Sequence, residues 1–317
     1  MNWIEEISRA SERLSGDVLR TPMFHSTYLS AMNKGEVYLK LESEQHTGSF
    51  KARGALNKIR SMSEAERNAG MITASTGNHA QGFARAVGLS GGRGTIYLPT
   101  TASPAKVEAL GYYPVELEFY GAHALETELH AKAVAEESGV AYVSPYNDAM
   151  VVAGQGTIAV EMVEQCPDLD YVFACVGGGG MMSGVAAWYK HHSPDTKIIG
   201  CLPERSPEMA FSVAQGKVVV IEEAQETLSD GSAGGLEEDS ITFPMCQEYV
   251  DEFCLLNEEE IADAIRFMAH RHQKIVEGAA GVAIAAFKQN AEKYQGARVG
   301  IVVCGANITM EKLKAII

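Results

Sequence analysis

Four short segments of the chain combine residue types that suit chemistry on an amine, a carboxylate and a phosphate. The first, Thr47–Ala55 (TGSFKARGA), places Lys51 after a predicted strand and at the start of a predicted helix. The N-terminus of a helix is its positive end, so it would lower the pKa of a lysine amine there. Such a lysine suits bonding to a carbonyl carbon or removal of a proton from carbon. The alternative is an ordinary solvent-facing lysine.

The second segment, Ser75–His79 (STGNH), follows an apolar run and precedes a predicted helix. Such a turn presents backbone N–H groups and hydroxyls, which can hold a carboxylate. The alternative is a plain strand-to-helix turn with an asparagine cap. Taken alone, His79 is better explained as a structural histidine than as a catalyst.

The third segment contains four consecutive glycines, Gly177–Gly180, between a predicted strand and a predicted helix. Glycines let the backbone curl tightly and direct several N–H groups at one anion, with the helix dipole behind them. The pattern predicts a phosphate cradle, and the alternative is a hinge. It is not the G-x-G-x-x-G dinucleotide fingerprint and no Walker lysine follows, which disfavours a Rossmann dehydrogenase.

The fourth segment, Val303–Asn307, places Cys304 at the end of the last predicted strand. Ligands of α/β folds bind at the carboxyl ends of strands, so this thiol is a candidate site residue. The alternative is a buried structural cysteine.

Short β-rich runs alternate with longer amphipathic runs, which predicts an α/β fold with parallel sheets and covering helices. The predicted strands are Glu36–Leu41, Met71–Ser75, Thr95–Pro99, Val115–Tyr120, Tyr171–Val176, Lys197–Leu202 and Val299–Cys304. Predicted helices include Ser103–Leu110, His123–Ser138 and Glu258–His270, the last with Asn257 as its N-cap. We predict a large domain from residues 1–72 and 147–317, a small domain from 73–146, and a long surface loop at Glu222–Asp239.

Composition excludes several classes of protein. The 317 residues contain 26 Lys and Arg against 41 Asp and Glu, a net charge of −15 that disfavours nucleic acid and anionic membranes as partners. The sequence has no run of 18 apolar residues and no basic-then-apolar leader, so we predict no membrane span. The six cysteines lack metal-ligand spacing and favour a reducing, cytoplasmic location.

Together, and in this order, the segments resemble the fold type II pyridoxal-phosphate (PLP) enzymes, specifically the serine/threonine dehydratase and serine racemase family. The resemblance rests on SFKARGA, STGNHAQG, AGQGT (Ala153–Thr157), GGGGMMSG and CGAN, and extends from about Arg20 to the end of the chain. It implies a tryptophan synthase β-like α/β fold of two open, mostly parallel twisted sheets covered by helices.

The resemblance also implies roles for the matching residues. Lys51 would bond covalently to the cofactor and then act as the base at the substrate's Cα, and Cys304 would face the pyridine nitrogen. The implied cofactor-binding residues are Phe50, Lys51, Asn78, Gly177, Gly178, Gly179, Gly180, Met181, Glu277 and Cys304. The implied substrate-binding residues are Ser75, Thr76, Gly77, Asn78 and His79.

A neutral thiol cannot keep the ring nitrogen protonated as an aspartate would, so the ring would be a milder electron sink. A carbanion at Cα would then sooner expel a β-hydroxyl than persist. We therefore predict β-elimination of water from a 3-hydroxy amino acid such as L-serine or L-threonine, giving a 2-oxo acid and ammonia. One alternative is an amino-acid racemase, with Thr76 where racemising relatives carry serine. Another is a non-catalytic phosphate-ligand binding protein, against which Lys51 argues.

Two further departures from the family pattern bear on finer predictions. The implied divalent-cation site would use Glu204 and, because Ala210 occupies the second carboxylate position, Glu208; Mg²⁺ is the expected ion. The arginine that some racemases use for a second carboxylate has no counterpart, since Glu126 and Thr127 occupy that region. This argues against a dicarboxylic substrate.

The segment Leu228–Gly235, with Ile-Thr-Phe following, is most similar to dehydratases associated with hydroxyectoine breakdown, and a hydroxy amino acid derived from that compound is an alternative substrate. The chain ends soon after CGAN, so we expect no regulatory C-terminal domain and a catabolic role. The resemblance also implies a homodimer.

Overall fold

The structure, a computed structural model, describes residues 1–221 and 225–317. The strands in these ranges are β1 (Met23–His25), β2 (Glu36–Leu41), β3 (Met71–Ala74), β4 (Gly94–Leu98), β5 (Glu116–Phe119), β6 (Ala141–Tyr142), β7 (Tyr171–Cys175), β8 (Lys197–Pro203), β9 (Glu252–Leu256) and β10 (Arg298–Val303). The α-helices are α1 (Trp3–Leu14), α2 (Thr27–Asn33), α3 (Lys51–Ser61), α4 (Glu64–Ala69), α5 (Asn78–Ser90), α6 (Pro104–Leu110), α7 (Ala124–Ser138), α8 (Ala149–Gln165), α9 (Gly180–His192), α10 (Glu208–Gln215), α11 (Thr242–Tyr249), α12 (Glu258–Phe267), α13 (Gly278–Gln289) and α14 (Met310–Ile316).

The strands form two sheets, which confirms the predicted α/β architecture. The larger sheet has the order β1-β2-β10-β7-β8-β9, and the smaller has the order β5-β4-β3-β6. All neighbouring strands are parallel except β1 and β2. The smaller sheet is built from residues 71–142, while the division into domains at 72/73 and 146/147 stays a prediction.

The centre of the larger sheet is buried on both faces. After their first residues, β7 and β10 are buried throughout, and Gly278–Phe287 of α13 are all buried as well. A parallel strand covered on both faces must be apolar at successive positions, which explains the continuous runs YVFAC and RVGIVV. This apolar centre fixes the carboxyl ends of β7 and β10, and the glycine turn and Cys304 follow directly from them.

All seven predicted strands form, with ends shifted by at most one residue. The helix predicted at Glu258–His270 ends at Phe267 and continues as a π-helical turn over Met268–His272. Asn257 caps this helix as predicted, because its side chain accepts a hydrogen bond from the Glu260 backbone N–H. The sequence prediction missed β1, β6 and β9.

The predicted loop Glu222–Asp239 lies partly outside the described residues, since 222–224 are not among them. Its described part contains no helix or strand, but it is not wholly at the surface as predicted. Ser229, Ser232 and Leu236 are buried, and Ser229 and Ser232 hydrogen-bond each other through their hydroxyls at 2.6 Å. This segment therefore packs into the molecule beside the glycine turn.

Candidate active site

Lys51 is the first residue of α3; the residue as a whole is half-buried, and its amine is enclosed by protein groups. Its Nζ donates a hydrogen bond of 2.8 Å to the carbonyl oxygen of Pro145 and lies 5.1 Å from the centroid of the Phe50 ring. Burial lowers the pKa of the Lys51 amine to about 8, against the opposing influence of Cys304, Glu277 and Cys175. The pKa is lowered, as predicted, but the largest cause of this shift is burial and not the position of Lys51 at a helix start.

The segment before Lys51 is fixed against the end of β10. The backbone N–H of Phe50 donates to the carbonyl oxygen of Cys304 at 3.1 Å, and Ser49 forms an isolated antiparallel bridge with Gly305. These contacts bring the first and fourth sequence segments together. Lys51 and Cys304 consequently belong to one site, although 252 residues lie between them in the chain.

The turn Ser75–Asn78 connects β3 to α5 and leaves the start of α5 open. Gly77 is the N-cap, and no side chain caps the helix. The Gly77 N–H donates to the Ser75 hydroxyl at 3.2 Å, and a Cβ built at Gly77 would meet nothing within 4 Å. Thr76 is half-buried in the same turn. Free N–H groups beside open space at a helix start can hold a carboxylate.

The imidazole of His79 points away from this turn and into the protein. Its Nε2 lies 3.1 Å from the hydroxyl of Thr73 and 3.0 Å from the carbonyl oxygen of Val143. Burial, followed by the nearby charge of Lys51, lowers the pKa of His79 to about 3, so the ring stays neutral at physiological pH. The side chain of His79 is thus structural, and only its backbone is available to the turn.

Asn78, Glu277 and Asn307 form a hydrogen-bonded network beside Lys51. Asn78 Nδ2 donates to both carboxylate oxygens of Glu277, at 2.9 and 3.0 Å, and Asn307 Nδ2 donates to Asn78 Oδ1 at 2.7 Å. Glu277 also accepts the Asn307 backbone N–H at 3.1 Å. Burial raises the pKa of Glu277, while Asn78 and Asn307 lower it. A Cβ at Gly305 would clash with the Glu277 carboxylate, which explains the glycine after Cys304.

The glycine turn lies between β7 and α9 in close contact with its neighbours. A Cβ at Gly177 would lie 2.5 Å from the carbonyl oxygen of Ser232, and one at Gly178 would clash with the Tyr146 ring. Gly179 is the N-cap of α9 with a φ of +85°, a conformation that favours glycine. No side chain caps α9 and its first turn holds no acidic residue, so the helix start is available to an anion. Met181, in that first turn, is buried.

Two thiols lie at the ends of the central strands, Cys175 on β7 and Cys304 after β10. Both are buried. Burial raises the pKa of Cys175 to about 12 and raises that of Cys304 well above its ordinary value. Both groups therefore stay protonated and neutral at physiological pH.

The arrangement consists of a buried amine with a lowered pKa, an uncapped helix start at each of two turns, and a neutral thiol. A protein-family model described as "Pyridoxal-phosphate dependent enzyme" matches residues 14–305 of the chain. The chain belongs to this family. Its fold and motifs place it among the fold type II serine/threonine dehydratases and serine racemases, and PLP is its cofactor.

Relatives of this PLP enzyme have more than one named activity. The chain described here is 40% identical to L-threonine ammonia-lyase of Thermotoga maritima, over 100% of its own length and 78% of that protein. It is 36% identical to L-threo-3-hydroxyaspartate ammonia-lyase of a Pseudomonas species, over 98% and 97% of the two chains. It is 34% identical to serine racemase of Schizosaccharomyces pombe, over 97% and 95%.

A solved structure supports the same fold for the PLP enzyme. The processed form of threonine deaminase isoform 2 from Solanum lycopersicum superposes with a TM-score of 0.93 at 33% identity, covering 99% of this chain and 91% of that one. Lyases and racemases thus share this fold and occur among relatives at similar identity.

The site residues of the PLP enzyme fit the cofactor. The buried amine of Lys51 can bond to an aldehyde carbon, and the uncapped start of α9 can hold a phosphate. Asn78, Glu277 and Cys304 lie beside Lys51, where the ring would bind. The individual roles predicted for these residues remain proposals.

Several residues that shape the site were not predicted from the sequence. Pro145 and Tyr146 follow β6, a two-residue strand too short to mark the segment as part of the site. Asn307 belongs to the recognised CGAN motif, but only its contacts with Asn78 and Glu277 reveal its position. The carboxyl end of a strand at Tyr142 would have pointed to Pro145 and Tyr146, but β6 is too short to be predicted from the sequence.

The predicted cation site is not assembled as a cluster of side chains. Within the described ranges, no group of three or more His, Cys, Asp or Glu side chains could hold a metal ion. Glu204 follows β8, and Glu208 opens α10 and accepts a hydrogen bond of 2.6 Å from Ser206. Mg²⁺ binding through Glu204 and Glu208 stays a prediction.

Within residues 1–221 and 225–317, no helix is both long enough and apolar enough to cross a bilayer.

Proposed function

We propose that the enzyme is an ammonia-lyase that eliminates water from a 3-hydroxy amino acid of the L-serine or L-threonine type and releases a 2-oxo acid and ammonia. The observation that carries the proposal is the position of the Lys51 amine, which is buried with a pKa of about 8 among the open Ser75–Asn78 turn, the glycine turn and a neutral thiol. The name of the Thermotoga maritima relative supports the same reaction class.

The chain's own groups divide the work between binding and proton transfer. Backbone N–H groups at the start of α5 would hold the substrate carboxylate, and those at the start of α9 would hold the cofactor phosphate. PLP, when bound, supplies an electron sink for the negative charge that develops at the substrate's α-carbon. A substrate anchored through its carboxylate presents its Cα–H to a fixed base rather than to water.

Lys51 is the proposed base. An amine with a pKa near 8 holds a substantial neutral fraction at neutral pH and can take the proton from Cα at its Nζ. The carbonyl of Pro145 orients that Nζ at 2.8 Å. The protonated thiol of Cys304 carries no negative charge, so it cannot stabilise a cationic ring nitrogen as a carboxylate would. A neutral Cys304 beside bound PLP would thus leave the cofactor a weaker electron sink, which would favour loss of the β-hydroxyl.

The second candidate is a racemase. The observation in its favour is Thr76, whose half-buried hydroxyl lies in the open turn where it could act as a second base. The serine racemase of Schizosaccharomyces pombe is a relative at 34% identity. The threonine methyl group narrows the space in this turn, which is our reason for ranking elimination first.

The two functions differ in their products. The purified holoenzyme is incubated with L-serine and with L-threonine, and the 2-oxo acid, ammonia and the enantiomers of the remaining substrate are measured. We expect equal amounts of 2-oxo acid and ammonia to accumulate. Accumulation of the D-enantiomer without 2-oxo acid would replace the lyase by the racemase. Thr76→Val should lower D-enantiomer formation more than 2-oxo acid formation if Thr76 is the second base.

Three further predictions carry over as proposals. The hydroxyectoine-related substrate rests on the segment Leu228–Gly235, and a panel of 3-hydroxy amino acids tests it. The homodimer rests on the family resemblance, and the cytoplasmic location rests on cysteine usage. Light scattering of the purified holoenzyme tests the homodimer.

A further inference from the structure

Two of the recognised motifs meet at a contact that the proposed function does not use. Gln155, from AGQGT, is buried in α8, and its side-chain Oε1 accepts a hydrogen bond of 3.2 Å from the backbone N–H of Gly54, from SFKARGA. Gly54 is the fourth residue of α3, and Lys51 is the first. The contact therefore connects α8 directly to the helical turn that carries Lys51.

The hydrogen bonds at the start of α3 differ from those at the start of α5 and α9. In α5 and α9 the N–H of the fourth helical residue donates to the carbonyl of the N-cap, at 3.3 and 2.8 Å. In α3 the N-cap is Phe50, and its carbonyl accepts the N–H of the third residue, Arg53, at 3.0 Å. The N–H of the fourth residue, Gly54, donates to the Gln155 side chain instead. Helix α3 thus begins with a tighter turn than the other two helices of the site.

The acceptor that Gln155 provides makes this tight turn affordable in free energy. A bond from the third residue to the N-cap winds the chain as a 3₁₀ turn does, with about 3.0 rather than about 3.6 residues per turn, which changes the direction of the side chains in that turn. It also takes from Gly54 the carbonyl that an α-helical turn would offer, and a buried N–H without an acceptor destabilises the fold. Gln155 Oε1 accepts this N–H. It therefore stabilises the turn from which Lys51 Nζ reaches the Pro145 carbonyl at 2.8 Å.

The two helices approach closely enough to hold the Gln155 amide in place. A Cβ at Gly54 would lie 2.3 Å from Gln155 Nε2, and a Cβ at Gly154 would lie 2.7 Å from the Gly54 Cα. Any larger residue at 54 or 154 would separate α3 from α8. Glycine at both positions therefore lets the Gln155 amide reach the backbone of α3.

Another side of α8 packs just as closely on α9, the helix that begins at the glycine turn. A Cβ at Gly184 of α9 would lie 2.3 Å from the carbonyl oxygen of Val152 and 2.6 Å from the backbone nitrogen of Gly156. Helix α8 is thus in backbone contact with both α3 and α9. The position of Lys51 relative to the glycine turn is consequently set through α8, the helix that contains Gln155.

We propose that Gln155 is a positioning residue for Lys51: by accepting the N–H of Gly54 it holds the first turn of α3 in the tight form that directs the Lys51 amine into the cofactor site. Gln155 acts through the backbone of α3 and not by contact with the reacting groups. The inference rests on the proposed function, in which Lys51 bonds to the cofactor and acts as the base, and adds the residue that sets its direction.

Three variants test this role. Gln155→Met has a side chain of similar length without the amide acceptor, whereas Gln155→Glu keeps an acceptor oxygen at the same reach. Asn57→Leu is the matched control, because it removes a hydrogen bond between the same two helices farther along α3. This bond runs from Asn57 Nδ2 to the carbonyl oxygen of Met150 at 2.7 Å.

The readout is the rate at which pyridoxal phosphate labels Lys51 in each apoenzyme, trapped with borohydride and located by peptide mass. We expect Gln155→Met to be labelled about tenfold or more slowly than the wild type at pH 8, because a misdirected amine cannot approach the aldehyde carbon. Gln155→Glu and Asn57→Leu should be labelled at close to the wild-type rate. A wild-type rate in Gln155→Met, an equal loss in Asn57→Leu, or a Gln155→Glu rate as low as that of Gln155→Met would overturn the proposal.

The pH dependence of labelling separates a redirected amine from a weakened fold. In the wild type, burial lowers the pKa of Lys51 to about 8, against the opposing influence of Cys304, Glu277 and Cys175. If the first turn of α3 relaxes in Gln155→Met, the amine leaves this enclosed position and its pKa rises. The labelling rate of Gln155→Met should then still increase above about pH 9, while the wild type and Asn57→Leu level off. A Gln155→Met curve that levels off with the wild type would refute the positioning role.

A second variant covers the case in which Gln155→Met does not fold. Gln155→Asn retains an amide but is one methylene shorter, so its oxygen falls short of Gly54 and labelling of Lys51 should again be slowed. A wild-type labelling rate in Gln155→Asn would overturn the proposal.

Labelling requires no turnover, so the proposed function is judged separately. If the wild-type holoenzyme forms no 2-oxo acid from L-serine or L-threonine, the lyase function fails, while the order of the labelling rates still decides the role of Gln155. If the wild type does turn over L-threonine, Gln155→Met should lower kcat about tenfold and leave KM nearly unchanged, because the Ser75 turn that would bind the carboxylate lies on a different helix. A raised KM with an unchanged kcat would contradict the positioning of Lys51 by Gln155.

Discussion

Three helices that begin at the site start differently from α4 and α12, two helices that lie away from it. Helix α12 begins with a capping box between Asn257 and Glu260 and has three glutamates in its first turn. Helix α4 has the same device in Ser63 and Glu66. Helices α3, α5 and α9 begin at the site with no side-chain cap and no acidic residue in the first turn.

The difference shows how the chain reserves its backbone donors. The first N–H groups of a helix have no partner within the helix, so a side chain, water or a ligand must satisfy them. In α12 and α4 the chain uses its own side chains, and the helix gains stability. In α5 and α9 it leaves the groups without a side-chain cap, which forgoes that stability but leaves backbone donors for the two anions of the proposed function.

The largest expected effect comes from the start of α3. Lys51→Ala removes the amine that we propose bonds to the cofactor and acts as the base, so elimination should fall about 10³-fold or more. The purified variant should also lack the absorbance that borohydride removes from the wild type. Lys58→Ala in the same helix is the control, and it should keep that absorbance.

The next effect comes from the start of α9. Gly178→Ala places a methyl group against the Tyr146 ring, so the glycine turn must shift and its affinity for pyridoxal phosphate should fall about tenfold or more. Fluorescence titration of the apoenzyme measures this affinity. Gly88→Ala, at an exposed position in α5 where a Cβ meets only ordinary contacts, should leave the affinity intact. Equal affinities in both variants would remove the argument for a tight cradle.

A pH series refines the contrast between a buried and an ordinary lysine. Because the pKa of Lys51 is about 8, its neutral fraction should rise about fivefold from pH 7 to pH 8 and level off above pH 9. The rate at which pyridoxal phosphate labels Lys51 in the apoenzyme, trapped with borohydride and located by peptide mass, should follow this curve. An ordinary lysine amine would keep gaining about tenfold per pH unit through pH 9, and that result would contradict the buried amine.

The smallest effect is expected at a capped helix. Asn257→Ala removes the cap of α12 and should lower the free energy of unfolding by about 1 kcal/mol. Denaturant unfolding measures the loss, and Asn257→Asp should largely restore stability. The affinity for pyridoxal phosphate should not change, because the chain's own side chains occupy this helix start and it lies outside the proposed site. A loss of affinity as large as that of Gly178→Ala would break the distinction between the two kinds of helix start.

The sequence alone determined the features that depend on neighbouring residues. Short β-rich runs mark the strands in the sequence, and all seven predicted strands form within one residue of their predicted ends. The glycine turn, the Ser75 turn and Lys51 were identified because each lies in a contiguous motif at the end of a strand or the start of a helix. Strands of two or three residues, such as β6 and β1, carry too little pattern to be recognised.

Only the tertiary structure decided which of these segments meet and what surrounds them. Asn78 and Glu277 are 199 residues apart in the chain, and Lys51 and Pro145 are 94 apart, yet each pair is joined by a hydrogen bond. The pKa of Lys51 and the inward direction of the His79 ring follow from such contacts. Burial and hydrogen bonding are set by residues distant in sequence, so local residue patterns specify the groups at the site but not their environment.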